Sequence, residues 1–247
     1  VGYYYAADKI IYIPLGLITA IGTVMLPRIS SIVDESKEKT EKLLSKSTEL
    51  SICMSCAVGF GIAAIARVFV PLFFGEGYEK CVNLLVLFVP VLFVKSLSNV
   101  VNQQYLIPAK CDNQYTLAVT GGAIVNLICN GLLIPQLGSV GATLGTLMAE
   151  LSVLIISAHC AKKEIRFFRM FSRYSYYLLL GLIMFVAVRF FDSYTHIEQS
   201  FIRLILMIMI GGGVYSLLCL TVWLKVKEKS VFGSILISLS KKGAIRK

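Results

Sequence analysis

The chain has 247 residues, of which 57% are apolar and only 15% charged, with a net charge of +10 and a mean hydropathy of +0.78. Soluble domains carry about 45–50% apolar and about 25% charged residues, so this chain has too few charges to cover a water-facing surface. A cytosolic enzyme, a disulfide scaffold and a disordered tail are excluded, and an all-α polytopic membrane bundle remains.

A spanning helix needs about 20 mostly apolar residues. In chain order, seven segments qualify: 7–27, 50–74, 82–107, 115–135, 140–160, 174–191 and 201–224. The connections alternate in charge. Arg28, Lys37, Lys39, Lys42 and Lys46 lie in 28–49, Lys110 in 108–114, and Lys162, Lys163, Arg166, Arg169 and Arg173 in 161–173. The tail adds Lys225, Lys227, Lys229, Lys241, Lys242, Arg246 and Lys247, so eighteen of the 24 basic residues fall in one set of connections. The other set holds Lys80 alone. Basic loops mark the cytoplasmic side, which predicts the start of this chain outside and Lys247 inside. Charge distributed this way encodes topology and not a nucleic-acid surface.

The flanks of the spans add detail. Tyr3, Tyr4, Tyr5 and Tyr194 are expected at the outer interface, and Tyr174, Tyr176, Tyr177 and Trp223 at the inner one, as an aromatic belt. Segment 28–49 mixes Ile29, Ile32, Val33, Leu43 and Leu44 with charges, which predicts an amphipathic helix lying along the inner leaflet. The tail segment VFGSILISLS is a weaker candidate for the same role. Gly138, Gly141, Ala142, Gly145 and Ala149 have the small-residue spacing that lets helices approach closely. Pro14, Pro71, Pro90 and Pro135 lie within or at the ends of spans, where they can bend them.

Ionisable residues inside a membrane are costly, so each is a functional candidate. Arg189 and Arg203 lie near helix ends and are expected to snorkel, as is Arg67. Lys95 lies mid-span in a segment that also carries Ser98, Asn99, Asn102, Gln103 and Gln104. Positions 95, 99 and 102 share a helical face, as do 99, 102 and 103. Such a stripe serves either a wet cavity or hydrogen bonding between helices. Asn126 and Asn130 could extend it. Glu150 shares a face with Thr143 and Thr146 and could balance a lysine or bind a coupling cation.

Catalytic motifs are missing. His159 and His196 are predicted on opposite membrane faces, and Cys53 and Cys56, though spaced CxxC, have no second pair or His partner. The seven cysteines imply no disulfide framework. No cofactor or metal is implied, and the chain reads as a non-enzyme.

The opening stretch VGYYYAADKIIYIPLGLITAIGTVMLP and the later QQYLIPAKCDNQYTLAVTGGAIVNLICNGLLIPQLGSVGATLGTLMAE resemble the polysaccharide and lipid-linked oligosaccharide (repeat-unit) flippases of the multidrug/oligosaccharidyl-lipid/polysaccharide exporter superfamily. The likeness covers residues 1–160 well and 161–224 through layout alone. It implies the second lobe of an inverted-V bundle: a core over 1–160, two added spans over 161–224 and a basic tail over 225–247. Val1 would open that lobe's second helix, in a protein of about fourteen spans whose two lobes each contribute half of a central cavity. The implied activity is alternating-access translocation of undecaprenyl-diphosphate-linked repeat units for capsular, exopolysaccharide or related cell-surface polymers. Related lipid II flippases place a cavity cation after Asp in the segment matching YYAADK, which makes Lys9, beside Asp8, the implied diphosphate contact; Lys95 matches a second cavity lysine. Implied partners are the lipid-linked glycan, membrane lipids, the remaining N-terminal half and polymerase machinery. Alternatives are a cation-coupled multidrug exporter, a teichoic-acid or peptidoglycan-precursor flippase, and a membrane-embedded transferase.

Overall fold

The computed structural model describes residues 2–195 and 200–226. His196, the tail from Lys227 onward and its VFGSILISLS segment lie outside the described residues. Among the described residues eight α-helices occur: α1 Gly2–Ser30, α2 Lys37–Phe74, α3 Glu79–Val101, α4 Asp112–Leu137, α5 Ser139–Ala161, α6 Phe167–Tyr174, α7 Tyr176–Tyr194 and α8 Ser200–Val226. Seven helical segments among the described residues are long and apolar enough to cross a membrane, and each matches one predicted span, the third ending one residue earlier than predicted. The fold is an all-α polytopic bundle, as predicted.

The long connection over 28–49 departs from expectation. It does not form a separate helix lying along a leaflet. α1 runs to Ser30, and residues 37–49 open α2, which is continuous for 38 residues. At 1.5 Å per residue α2 is about 57 Å long, nearly twice a hydrocarbon core of about 30 Å. The cause is local. Ser36 caps the helix by accepting from the Lys39 amide, Glu38 sits in the first turn, and no glycine or proline interrupts the chain before Cys56 and the span itself. The extension is amphipathic as read, but its apolar face meets protein: Thr40, Leu44, Ser47 and Thr48 are buried, and Tyr174 of α6 bonds to Ser45 (3.0 Å). The short amphipathic helix is α6, which buries Phe167, Met170 and Tyr174 and exposes Arg169 and Arg173.

α3 is the hub. Sixty-one per cent of its apolar window is buried, against 11% for α4. One core cluster joins Ile11, Ile18, Val70, Leu85, Phe88 and Leu92 of α1, α2 and α3. A larger one ties α2 and α3 to α5–α8. α4 presents Leu117, Ile124, Leu127, Ile128 and Leu132 outward, a surface suited to lipid.

α4 and α5 form a hairpin closed by small residues. Gly141 abuts the Leu133 carbonyl, Gly145 abuts Asn130, and Gly122 lies against Val153 and the Ala149 carbonyl. A side chain at any of these would separate the helices, which gives the predicted spacing its physical role.

The aromatic belt needs correction. Tyr5 and Tyr194 are well exposed, as a belt requires, but Tyr174 and Tyr177 are buried. The Tyr177 hydroxyl donates to Glu49 (3.1 Å) and accepts from the Trp223 indole (2.7 Å), joining α2, α7 and α8. Arg189 and Arg203 do not snorkel freely either. Both bind Asp192, which is 7% exposed, at 2.8 and 2.6 Å. This triad fastens α7 to α8. Arg67 is exposed, in line with expectation.

Candidate polar centre of the bundle

Tyr4, Asp8 and Tyr12 fall four residues apart and therefore share one face of α1. That face meets α3 and α5. Lys95 of α3 sits at the junction, where its ammonium donates to Glu150 Oε1 and to the Tyr12 hydroxyl, both at 2.8 Å. One turn from Glu150 on α5, Thr146 bonds to Tyr4 (3.0 Å). Asp8 lies within electrostatic reach of Lys95. Three helices thus converge on one cation, two carboxylates and two phenols.

The side chains of Lys95 and Glu150 are 29% and 18% exposed. Both are partly accessible and not sealed in the core, so an anion that reached the ammonium would compete with Glu150 for it. In a low-dielectric setting such a pair persists only when its remaining donors are satisfied, and Tyr12 supplies that partner.

Lys9 is placed elsewhere. One residue along an α-helix is about 100° of rotation, so Lys9 leaves the Asp8 face. It is exposed, its ammonium sits 4.4 Å from the Tyr5 ring centre, and among the described residues it makes no ion pair. It lines a groove of about 840 Å3 between α1, α2, α7 and α8, whose other walls include Ile13, Phe69, Phe73, Met184 and Ile208. The groove is almost wholly apolar, with Lys9 as its cation.

The amides diverge. Asn99 lies against Gly22 of α1. α3 then loosens into a π-turn over Asn102–Leu106, which adds a residue to the turn and breaks the α register of the stripe. Asn102 consequently turns into α5 and accepts from Ser157 (2.6 Å). Gln103 is half-buried, while Gln104 is fully buried. Asn126 and Asn130 bond to each other on α4 (2.9 Å), and Asn130 packs against Gly145 of α5. The structure therefore gathers Asp8, Lys95 and Glu150, with Asn99 on the neighbouring turn, and spends Asn102, Asn126 and Asn130 on contacts within or between helices. Sequence alone places Thr146 beside Glu150 but gives no site role to Tyr4, Tyr12 or Asp192. The four-residue spacing of Tyr4, Asp8 and Tyr12 was the available signal for the first two. Cys53 and Cys56 are buried, with the Cys53 carbonyl accepting from Tyr215 (2.8 Å). No cluster able to hold a metal occurs among the described residues.

The fold and site define a polytopic helical bundle with a paired charge among its spanning helices. The sequence model of the family described as "Lipid II flippase MurJ" matches residues 1–210, and the chain belongs to that family. A curated relative from Escherichia coli (strain K12), named "Putative O-antigen transporter", is 26% identical over 150 residues, 61% of this chain and 36% of the relative. A solved structure titled "Lipid II flippase MurJ, inward closed conformation" superposes with a TM-score of 0.77 at 17% identity, covering 92% of this chain and 48% of that one. At that identity the likeness shows the fold. The chain spans about a third of the curated relative and about half of the solved flippase. Both names are transporters of one superfamily, as the sequence resemblance implied, although the matching family model is that of the lipid II branch.

Proposed function

We propose that the complete protein is a flippase that carries polyprenyl-diphosphate-linked glycans across the cytoplasmic membrane, and that this chain supplies one lobe. The observation that carries the reading is Lys9 on an apolar groove of about 840 Å3. Its ligand must be amphiphilic: a long hydrocarbon chain for the walls and an anionic head for the ammonium. A lysine serves a diphosphate as a point charge. Lys95 provides a second cation deeper in the lobe, held by Glu150 until a stronger anion displaces the carboxylate. Asn99 and Gln103 offer exchangeable hydrogen bonds for sugar. Moving an anion outward is helped by an inside-negative potential, worth about 2.3 kcal/mol per charge per 100 mV.

The carried glycan is read as an oligosaccharide repeat unit of a cell-surface polysaccharide. The alternative with support in the family match is a peptidoglycan precursor. In both the basic end of the bundle, with Lys37, Lys162 and Arg166, faces the cytoplasm. Glu150 remains a coupling candidate, because release from Lys95 would free it to take up a cation. The relatives are named as transporters, which supports a role without catalysis.

The test is translocation by the full-length protein in proteoliposomes, using a fluorescent polyprenyl-diphosphate-linked oligosaccharide. Wild type is expected to flip it, and Lys9→Ala at least tenfold more slowly with unchanged insertion. Export of cationic drugs with no movement of the lipid-linked glycan would instead establish the multidrug exporter.

A further inference from the structure

The basic end carries a second cavity, of about 490 Å3, between the extension of α2 and α6. Lys42 and Lys46 of α2 and Arg166, Arg169 and Arg173 beside and on α6 line it, with Glu38 and Glu41 at one side. The helices are in register for this. Lys42 and Lys46 are four residues apart, and the arginines are spaced by three and four, so each set forms one edge. The Tyr174–Ser45 bond (3.0 Å) holds the two helices together.

None of these five cations makes an ion pair among the described residues, although Lys37 and Glu164 pair at 3.1 Å nearby. With both carboxylates counted, the cavity keeps three net positive charges. Like charges held around one space repel, and an anion placed between them relieves that repulsion. Guanidinium forks match phosphate oxygens. The volume suits a small-molecule headgroup, within the roughly 300–1,000 Å3 usual for ligand sites. Position then narrows the source. α6 leads directly into the α7 span; Phe168, 61% exposed, precedes Arg169 in the chain, and the exposed Leu179 lies in the first turn of α7. An occupant with an acyl chain has apolar surface to lie on, whereas a free phosphate gains nothing from it.

We propose that this cavity binds the phosphate-bearing headgroup of an anionic phospholipid at the membrane boundary, a site separate from Lys9 and Lys95. It stands whether or not the protein moves a lipid-linked glycan. Basic pockets beside membrane helices hold such headgroups by charge and hydrogen bonding.

The test titrates full-length protein in detergent with dioctanoyl phosphatidylglycerol, dioctanoyl phosphatidylcholine and inorganic pyrophosphate, read by native mass spectrometry. Phosphatidylglycerol is expected to bind at least tenfold more tightly than phosphatidylcholine, and more tightly than pyrophosphate. Lys46→Gln/Arg169→Gln/Arg173→Gln should weaken it at least tenfold, and Glu38→Gln/Glu41→Gln should tighten it several-fold. The second variant decides the matter if the first fails to fold. Equal binding of the two lipids, tighter binding of pyrophosphate, or indifference to both sets of substitutions would overturn the proposal.

Discussion

The polar centre and the basic end handle charge in opposite ways. At the centre Lys95 is matched by Glu150 and a phenol within 2.8 Å. At the basic end five cations surround a cavity of about 490 Å3 with no ion pair among the described residues. The difference follows from the solvent each region meets. A charge shielded among the helices must be paired or it costs several kcal/mol, whereas an exposed charge at the boundary is hydrated and free to wait for a ligand. Pairing of shielded charge is therefore a condition of folding, and absence of pairing among exposed charges is a mark of availability.

That contrast can be broken by substitution. The largest stability effect is expected where one buried acceptor serves two cations. Asp192→Ala leaves Arg189 and Arg203 without their shared carboxylate and should cost about 3 kcal/mol, by analogy with broken buried pairs. It would be read as a clear drop in the unfolding temperature of the purified full-length protein. Tyr177→Phe removes one hydroxyl between Glu49 and Trp223 and should cost about 1 kcal/mol, read in the same melt. Arg169→Gln at the boundary should change stability by less than about 0.5 kcal/mol, as surface substitutions do. An Arg169 effect as large as that of Asp192 would show that the boundary charges are also structural, and the contrast would fail.

Span positions were legible because apolar run length is set by bilayer thickness, and the alternation of Lys and Arg in the loops marked where each run ends. The character of 37–49 was legible too, but not its direction. An amphipathic pattern reports one apolar face and does not say whether lipid or a neighbouring helix such as α6 will cover it. The same limit explains Tyr177: an aromatic at a span end reads as an interface anchor until its buried partners, Glu49 and Trp223, are known. Lys95 and Glu150 were each legible as costly intramembrane charges 55 positions apart, and only the packing of α3 on α5 makes them a pair. Asp192 escaped notice because a carboxylate beside a span end looks hydrated; its burial depends on two arginines from different helices. The π-turn at Asn102 left no mark in the hydropathy pattern, yet it decides which amides face α5.

Alongside Lys9 on the apolar groove, the proposed function turns on the ammonium of Lys95 at the polar centre. The direct measurement is the rate at which full-length protein in proteoliposomes flips a labelled polyprenyl-diphosphate-linked oligosaccharide, compared among wild type, Lys95→Arg and Lys95→Gln, with unfolding temperature as the folding control. The prediction is a rate for Lys95→Arg within a few-fold of wild type, and for Lys95→Gln at least tenfold lower with the protein still folded. A folded Lys95→Gln protein that flips the substrate at the wild-type rate would contradict it.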